Sequence, residues 1–139
     1  ASLKGFHDVP EVTSAQIFAS LRQSVISHFG DTGWGAVGAS LSVKYFSPVT
    51  KLCIIRVARD PYRVAWGALT LLSSVEGHRI IPNVLHVSGT IKHAQLAAIE
   101  HNRVAVARFR AKAGTPAAYQ DSYESFLQKS AAEINALQD

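Results

Sequence analysis

Residues 37–46 alternate without a break: Val37, Ala39, Leu41, Val43 and Tyr45 stand against Gly38, Ser40, Ser42 and Lys44. A period of two sends successive side chains to opposite faces of an extended chain, so the stretch predicts a strand buried on one side only. Such a strand needs a neighbour and a cover, which excludes a purely helical fold. Ser47-Pro48-Val49-Thr50-Lys51 turns the chain, and residues 52–59 read as a second strand, antiparallel to the first. On it Cys53, Ile55 and Val57 share a face, and Arg56 points the other way.

Helical signals surround this hairpin. Residues 1–12 have no period and read as a loop. Thr13 and Gln16 have capping-box spacing, and Ile17, Leu21, Val25 and Phe29 follow at i,i+4 on one face, with Gly30 as the stop. GDTGWGAVGAS is glycine-rich, yet it lacks the Lys-Ser/Thr ending of a phosphate-binding P-loop and reads as a bent lead-in to the strand. Asp60-Pro61 predicts a helix start, with aspartate at N-cap and proline at N1. That helix carries Trp66, Leu69 and Leu72 inward and ends near Val75. Residues 79–88 read as a third strand, placed at an edge or beginning at Pro82 because proline cannot donate to a ladder.

The stretch 83–103 joins this strand to a helix. Gly89 is where the backbone swings out, and Thr90 can cap the first turn with its hydroxyl. Lys92 lies in that turn, where positive charge is mildly unfavourable to the helix. A cation beside free N–H groups suggests an anion site such as one for phosphate, although a plain junction with a solvated lysine has the same spacing. The helix runs to about Ala113 and carries Lys92, Arg103, Arg108, Arg110 and Lys112 against one acid, Glu100. Lys92, Arg103 and Arg110 align, with Leu96 and Ile99 in the same sector. Gly114 ends it, and Thr115-Pro116 opens a last helix, 115–138, with Tyr119, Tyr123, Phe126, Ile134 and Leu137 on one apolar face.

The whole reads as one domain over 1–139 with its core at about 13–113. The class is α+β: a ferredoxin-like (RRM-like) α/β sandwich with an antiparallel-containing sheet, extra C-terminal helices and its first strand missing. Helices would cover the Val43/Val57 face, leaving Lys44 and Arg56 on the open face.

Charge and composition narrow the function. The net charge of +4 hides an asymmetry: residues 1–112 hold 13 Lys/Arg against 6 Asp/Glu, whereas residues 113–139 hold 1 against 4. A basic body fits a polyanionic partner and an acidic tail a separate contact. One cysteine excludes a disulfide framework within the chain and points to a reducing compartment. No apolar run approaches the length of a membrane span.

Catalysis finds little support. Six histidines, His7, His28, His78, His86, His93 and His101, have no Cys or acid partners at zinc spacing. No nucleophile elbow is present. A metal-dependent nuclease would need clustered carboxylates, and Asp31, Asp60, Glu76 and Glu100 are scattered. Cations at element ends, Lys44, Arg56, Arg59, Arg63, Lys92 and Arg103, suit phosphate contacts, which give affinity rather than sequence reading. The strands lack the exposed aromatic pairs of a single-strand RNA-recognition sheet, so an RNA partner would be read by shape and backbone.

The pieces LSVKYFSPVTKLCIIRVARDPYRVAWGALTLLSSVEG and LHVSGTIKHAQLAAIEHNR resemble the small protein subunit shared by ribonuclease P and ribonuclease MRP, the eukaryotic counterpart of archaeal ribonuclease P protein component 2. The marks are GDTG, the VKY…T…IIR hairpin, the helix with Tyr-Arg-x-x-Trp-x-Ala-Leu, and HVSGTI followed by a helix reaching His-Asn-Arg, over about residues 30–103. The resemblance implies a non-catalytic protein on the catalytic domain of an RNA that, with Mg²⁺ on the RNA and no cofactor on the protein, removes the 5′ leader of precursor tRNA. In MRP it implies pre-ribosomal RNA cleavage. It also implies a TIM-barrel protein partner, other holoenzyme proteins, indirect contact with precursor tRNA, and a nuclear and nucleolar setting. Lys44 and Arg56 fall in the hairpin motif, Arg63 in the helix motif, and Ser88, Gly89, Thr90 and Lys92 in HVSGTI; with Arg59 and Arg103 these are the candidate RNA contacts. Family members carry a strand of the Arg-Tyr-Leu-Leu-Phe-Glu type before the first helix, and residues 1–12 do not match it. The expectation is that the strand is missing from this chain or supplied by a partner. The alternative of another class is a ferredoxin-like protein-interaction or ligand-binding module that binds no RNA.

Overall fold

A computed structural model describes residues 12–113 and 120–138. The elements are α1 (Ser14–Val37), β1 (Ser42–Phe46), β2 (Cys53–Arg56), α2 (Tyr62–Thr70), β3 (Ser74–Val75), β4 (His78–Arg79), α3 (Ile91–Ala113) and α4 (Gln120–Asn135). The α+β class holds. The described strands, however, form two separate two-stranded sheets, β1-β2 and β3-β4, in place of one larger sheet. Two compact units result: one holds residues up to Phe46 together with Ile55–Leu85, the other Ser47–Ile54 together with the chain from His86 onward.

In the first unit α1 starts on the expected capping box. The Gln16 N–H donates to Thr13 Oγ1 at 3.2 Å, and the Thr13 N–H donates to Gln16 Oε1 at 2.9 Å. Each bond satisfies a donor with no partner inside the helix. Gly30 does leave the helical conformation, at φ 69, but the chain then resumes a helix to Val37. The strand expected to begin at residue 37 therefore begins at Ser42. The reason lies in the spacing: Val37 and Leu41 are four apart, which satisfies both a period of two and a helical turn. The Leu41 N–H donates to the Val37 carbonyl at 2.8 Å, so the helical reading wins. Leu21, Val25, Val37 and Leu41 pack with Ala65 and Ala68 of α2, and Phe18, Trp34, Ile55, Val57, Val64 and Leu69 close around them. Ser24, buried on α1, donates from Oγ to the Ala68 carbonyl at 2.6 Å and ties the two helices at a polar point. The Ile55/Val57 face thus meets the helices, but Ile54 on the opposite face is buried as well and Lys44 is half-buried, so the face expected to stay open is partly covered.

Three expectations for this unit are corrected. First, α2 begins one residue late: Pro61 occupies the N-cap, and no side chain caps the helix, so Asp60 is an exposed residue rather than a cap. Second, α2 ends at Thr70, and Trp66 faces outward with 43% of its surface exposed. Leu69 is half-buried and Leu72 buried, as the pattern required. Third, the residues after α2 form a small hairpin. Ser74 pairs with Arg79 and Val75 with His78 around Glu76 (φ 51) and Gly77 (φ 78). Two successive positive φ values are the signature of the two-residue turn that matches the twist of paired strands. Residues 80–88, expected as the third strand, have no regular structure, and Ile81 and Leu85 are exposed.

In the second unit α3 and α4 run antiparallel. Gln95, near the start of α3, donates from Nε2 to the carbonyls of Ile134 (2.9 Å) and Leu137 (3.0 Å) at the end of α4. At the other end Arg110 pairs with Glu124 at 3.3 Å. The buried stripe of α3 is Ala98, Asn102 and Val106, spaced i,i+4,i+8; Ser130 and Ile134 are buried on α4, and the two helices are in contact. Leu96, aligned with the cationic stripe in the sequence, is exposed. Tyr123, Phe126 and Leu137 are half-buried. Gly114, Thr115-Pro116 and Tyr119 lie outside the described residues.

Candidate nucleic-acid interface

Four of the sequence-selected cations belong to the first unit. Lys44 is half-buried on β1, Arg56 is exposed at the end of β2, Arg59 is exposed in the loop after it, and Arg63 is exposed in the first turn of α2. The alternation that turns Val57 toward the core turns Arg56 away from it. The Arg63 guanidinium lies 6.0 Å from the centroid of the Tyr62 ring. Its interaction with the Tyr62 side chain raises its pKa above the ordinary arginine value.

The second unit carries the rest. Ser88 Oγ accepts from the Thr90 N–H at 3.2 Å and donates to the Thr90 carbonyl at 3.1 Å. Thr90 Oγ1 in turn accepts from the His93 N–H at 3.4 Å, so the expected cap is formed. Both hydroxyls are therefore occupied in setting the start of α3. Gly89 and Lys92 are exposed there, and no acid sits in the first turn. A lysine next to the free N–H groups of a helix start is an arrangement that suits an anion. Arg103 lies about three turns further along α3, where it pairs with Glu100 at 3.4 Å. Both partners are mostly exposed, and water screens such a pair strongly.

The aligned stripe Lys92, Arg103, Arg110 does not stay a solvated face. Arg110 turns onto α4, where it pairs with Glu124 and stacks over Tyr123 at 5.2 Å. Between the two helices runs a groove of about 400 Å³ lined by Ile99, Arg103, Val106, Arg110, Glu124 and Leu127 among others.

Two features escaped the sequence reading. Asn102, the middle of the His-Asn-Arg run, is only 1% exposed. Its Oδ1 accepts from Thr50 Oγ1 at 2.6 Å, and Thr50 belongs to the turn after β1. That turn is built by Ser47, whose carbonyl accepts from the Lys51 N–H at 2.8 Å and whose Oγ accepts from the Thr50 N–H at 3.2 Å. The asparagine thus holds a turn rather than a ligand, and periodicity alone carries no sign of it. The second feature is the outer face of α2. There the Tyr62 and Trp66 rings stack with centroids 6.1 Å apart and planes 29° apart.

Chemistry by side chains is sparse. Among the described residues no three His, Cys, Asp or Glu side chains converge on a point where a metal could sit. Cys53 is half-buried, and its burial pushes the thiol up to about 12, far from a nucleophilic thiolate at neutral pH. What the arrangement offers is exposed guanidinium and ammonium groups on rigid elements. These suit the positioning of a polyanion.

Exposed cations on an α+β scaffold narrow the class, and comparison with known proteins gives the family. Residues 4–99 match the model of the Rpp14/Pop5 family, and the chain belongs to that family. It is 45% identical over 106 residues to the Schizosaccharomyces pombe protein named ribonuclease P/MRP protein subunit POP5, covering 72% of this chain and 76% of that one. It is 35% identical over 89 residues to the probable POP5 subunit of Arabidopsis thaliana, covering 64% and 59%. It is 31% identical over 93 residues to human POP5, covering 63% and 57%.

Proposed function

We propose that this chain is a protein subunit of ribonuclease P and of ribonuclease MRP. The observation that carries the reading is the 45% identity with the fission-yeast protein of that name. The excess of cations over residues 1–112 supports it, because an RNA-bound protein must offset phosphate charge. In this reading the protein is not the catalyst. The RNA, with Mg²⁺ held on it, cuts the 5′ leader from precursor tRNA in one particle and pre-ribosomal RNA in the other. The chain buttresses the catalytic domain of that RNA. Lys44, Arg56, Arg59, Arg63, Lys92 and Arg103 contact phosphates, and Ser88, Gly89 and Thr90 present the start of α3 to the same backbone. A TIM-barrel subunit and other holoenzyme proteins dock on it, and it works in the nucleus and nucleolus. The α1-β1-β2-α2 order, followed by the apolar segment 80–88 and α3, supports a ferredoxin-like plan in which that segment pairs within the assembled particle.

The test is RNA affinity as a function of salt. Wild-type protein binds ribonuclease P RNA with log K falling steeply with log salt. Lys92→Ala and Arg56→Ala each weaken binding irrespective of RNA sequence and lower the slope by about one. Unchanged slopes in both variants would overturn the assignment of these positions.

A further inference from the structure

One face of α2 is left partly uncovered. Its inner side, with Ala65 and Ala68, is buried against α1. On the outer side Trp66 keeps 43% of its surface in solvent. Its ring is held rather than loose: it stacks on Tyr62 four residues earlier, with centroids 6.1 Å apart. The Arg63 guanidinium stands over the Tyr62 ring at 6.0 Å, and Arg59 is exposed just before the helix. Phe29, itself 39% exposed, lies against Gly67, where a Cβ would meet its ring at 2.8 Å.

An exposed indole costs free energy in water, and a monomeric surface has little use for one that is also pre-stacked. Two kinds of occupant could cover it. The centre of a protein–protein contact is depleted in charge. Here Arg63 stands over the Tyr62 ring, Arg59 is exposed three residues before Tyr62, and from Arg59 to Thr70 the chain holds a single acid, Asp60. Aromatic rings interleaved with guanidinium groups are the chemistry that holds a single-stranded nucleic acid: the ring takes the base, and the cation takes the phosphate and adds cation–π attraction.

We propose that Trp66, supported by Tyr62, is a stacking site for an unpaired nucleobase, with Arg59 and Arg63 on the phosphates beside it. The site rests on the RNA-binding reading above and adds to it a contact with unpaired rather than helical RNA. It lies on a helix face, away from the strand positions where aromatic base-stacking residues are usually sought.

The experiment measures the affinity of the full chain for a labelled single-stranded oligouridylate and for a blunt RNA duplex, at one fixed salt and across a salt series. Trp66→Ala weakens single-strand binding by about five- to a hundredfold, the range expected for one stacked base. It leaves the salt slope and the duplex affinity as they were, and Trp66→Phe recovers most of the loss. Arg63→Ala lowers the slope instead. Single-strand affinity unchanged in Trp66→Ala, with wild-type binding intact, would overturn the stacking site and leave the RNA-binding reading standing. An equal loss on strand and duplex, with an altered circular dichroism spectrum, would assign Trp66 to the fold and overturn the site as well. Loss of the protein partner with RNA affinity intact would mark the face as a protein dock and overturn it too. Wild-type protein without salt-dependent affinity for any RNA would bring down both readings together.

Discussion

Thr50→Val tests the buried polar pair that joins the turn after β1 to α3. Thr50 is 8% exposed and Asn102 1%. Their 2.6 Å hydrogen bond gives the Asn102 carbonyl oxygen its partner, while Asn102 Nδ2 has none among the described residues. Valine keeps the shape of threonine and removes the donor, so Asn102 Oδ1 is left buried and unsatisfied. Removing one partner of a buried hydrogen bond strands the other, so the variant is destabilised by about 1–3 kcal/mol. Asn102→Leu removes both polar groups of the asparagine but strands the Thr50 hydroxyl. The double variant Thr50→Val/Asn102→Leu removes the problem from both sides, and such paired replacement by apolar groups can be nearly neutral. Its destabilisation falls short of the sum of the singles by at least about 1 kcal/mol, the size expected for residues in contact. Urea unfolding followed by far-ultraviolet circular dichroism measures all four proteins. Single variants within about 0.5 kcal/mol of wild type, the range of ordinary surface substitutions, would refute the reasoning. So would strict additivity.

Other expectations follow from single contacts. Gly33→Ala places a Cβ 2.5 Å from Phe29 Cβ, a collision between atoms fixed to the backbone. Overpacking of about 1–3 kcal/mol therefore outweighs the helix propensity gained, and the urea midpoint falls; an unchanged midpoint would contradict the packing at the Gly30 bend. Cys53 in native protein reacts with iodoacetamide at pH 8 about a thousandfold more slowly than in urea. Its thiol is raised from 9.0 to about 12 by burial, so its thiolate fraction at that pH is correspondingly smaller. Rapid native labelling would show the thiol to be accessible. Glu124→Gln breaks the ion pair with the partly exposed Arg110 and lowers stability by less than about 1 kcal/mol, a loss that shrinks in high salt. A larger, salt-independent loss would mean the pair carries the α3–α4 packing.

The sequence disclosed what local chemistry dictates. Thr13 with Gln16 and Thr90 with His93 form their caps because the partners are three residues apart and compete with nothing distant. Ile55 and Val57 pack against the core on the face their alternation selects, whereas the burial of Ile54 on the opposite face has no signal in a period of two. Val37 and Leu41 misled because a spacing of four belongs to both periods, and the helix took Val37. Glu76-Gly77 was missed as a hairpin turn because glutamate seldom adopts positive φ, so the pair lacks the usual Asn-Gly or Asp-Gly form. Hydrophobicity alone sends Trp66 inward; the small residues Ala65 and Ala68 take the inner face because α1 packs against it there. For the candidate interface, charge and motif selected the cations, but partners distant in sequence divided them. Arg110 went to Glu124 and Tyr123, and Asn102 went to Thr50.

The most direct test of the central claim is purification of the tagged full-length protein from native extract, with the co-purifying RNA sequenced and assayed on precursor tRNA. The account predicts enrichment of the ribonuclease P and MRP RNAs together with Mg²⁺-dependent removal of the 5′ leader. Recovery of proteins without either RNA, and without processing activity, would contradict it and leave the candidate cations without an RNA role.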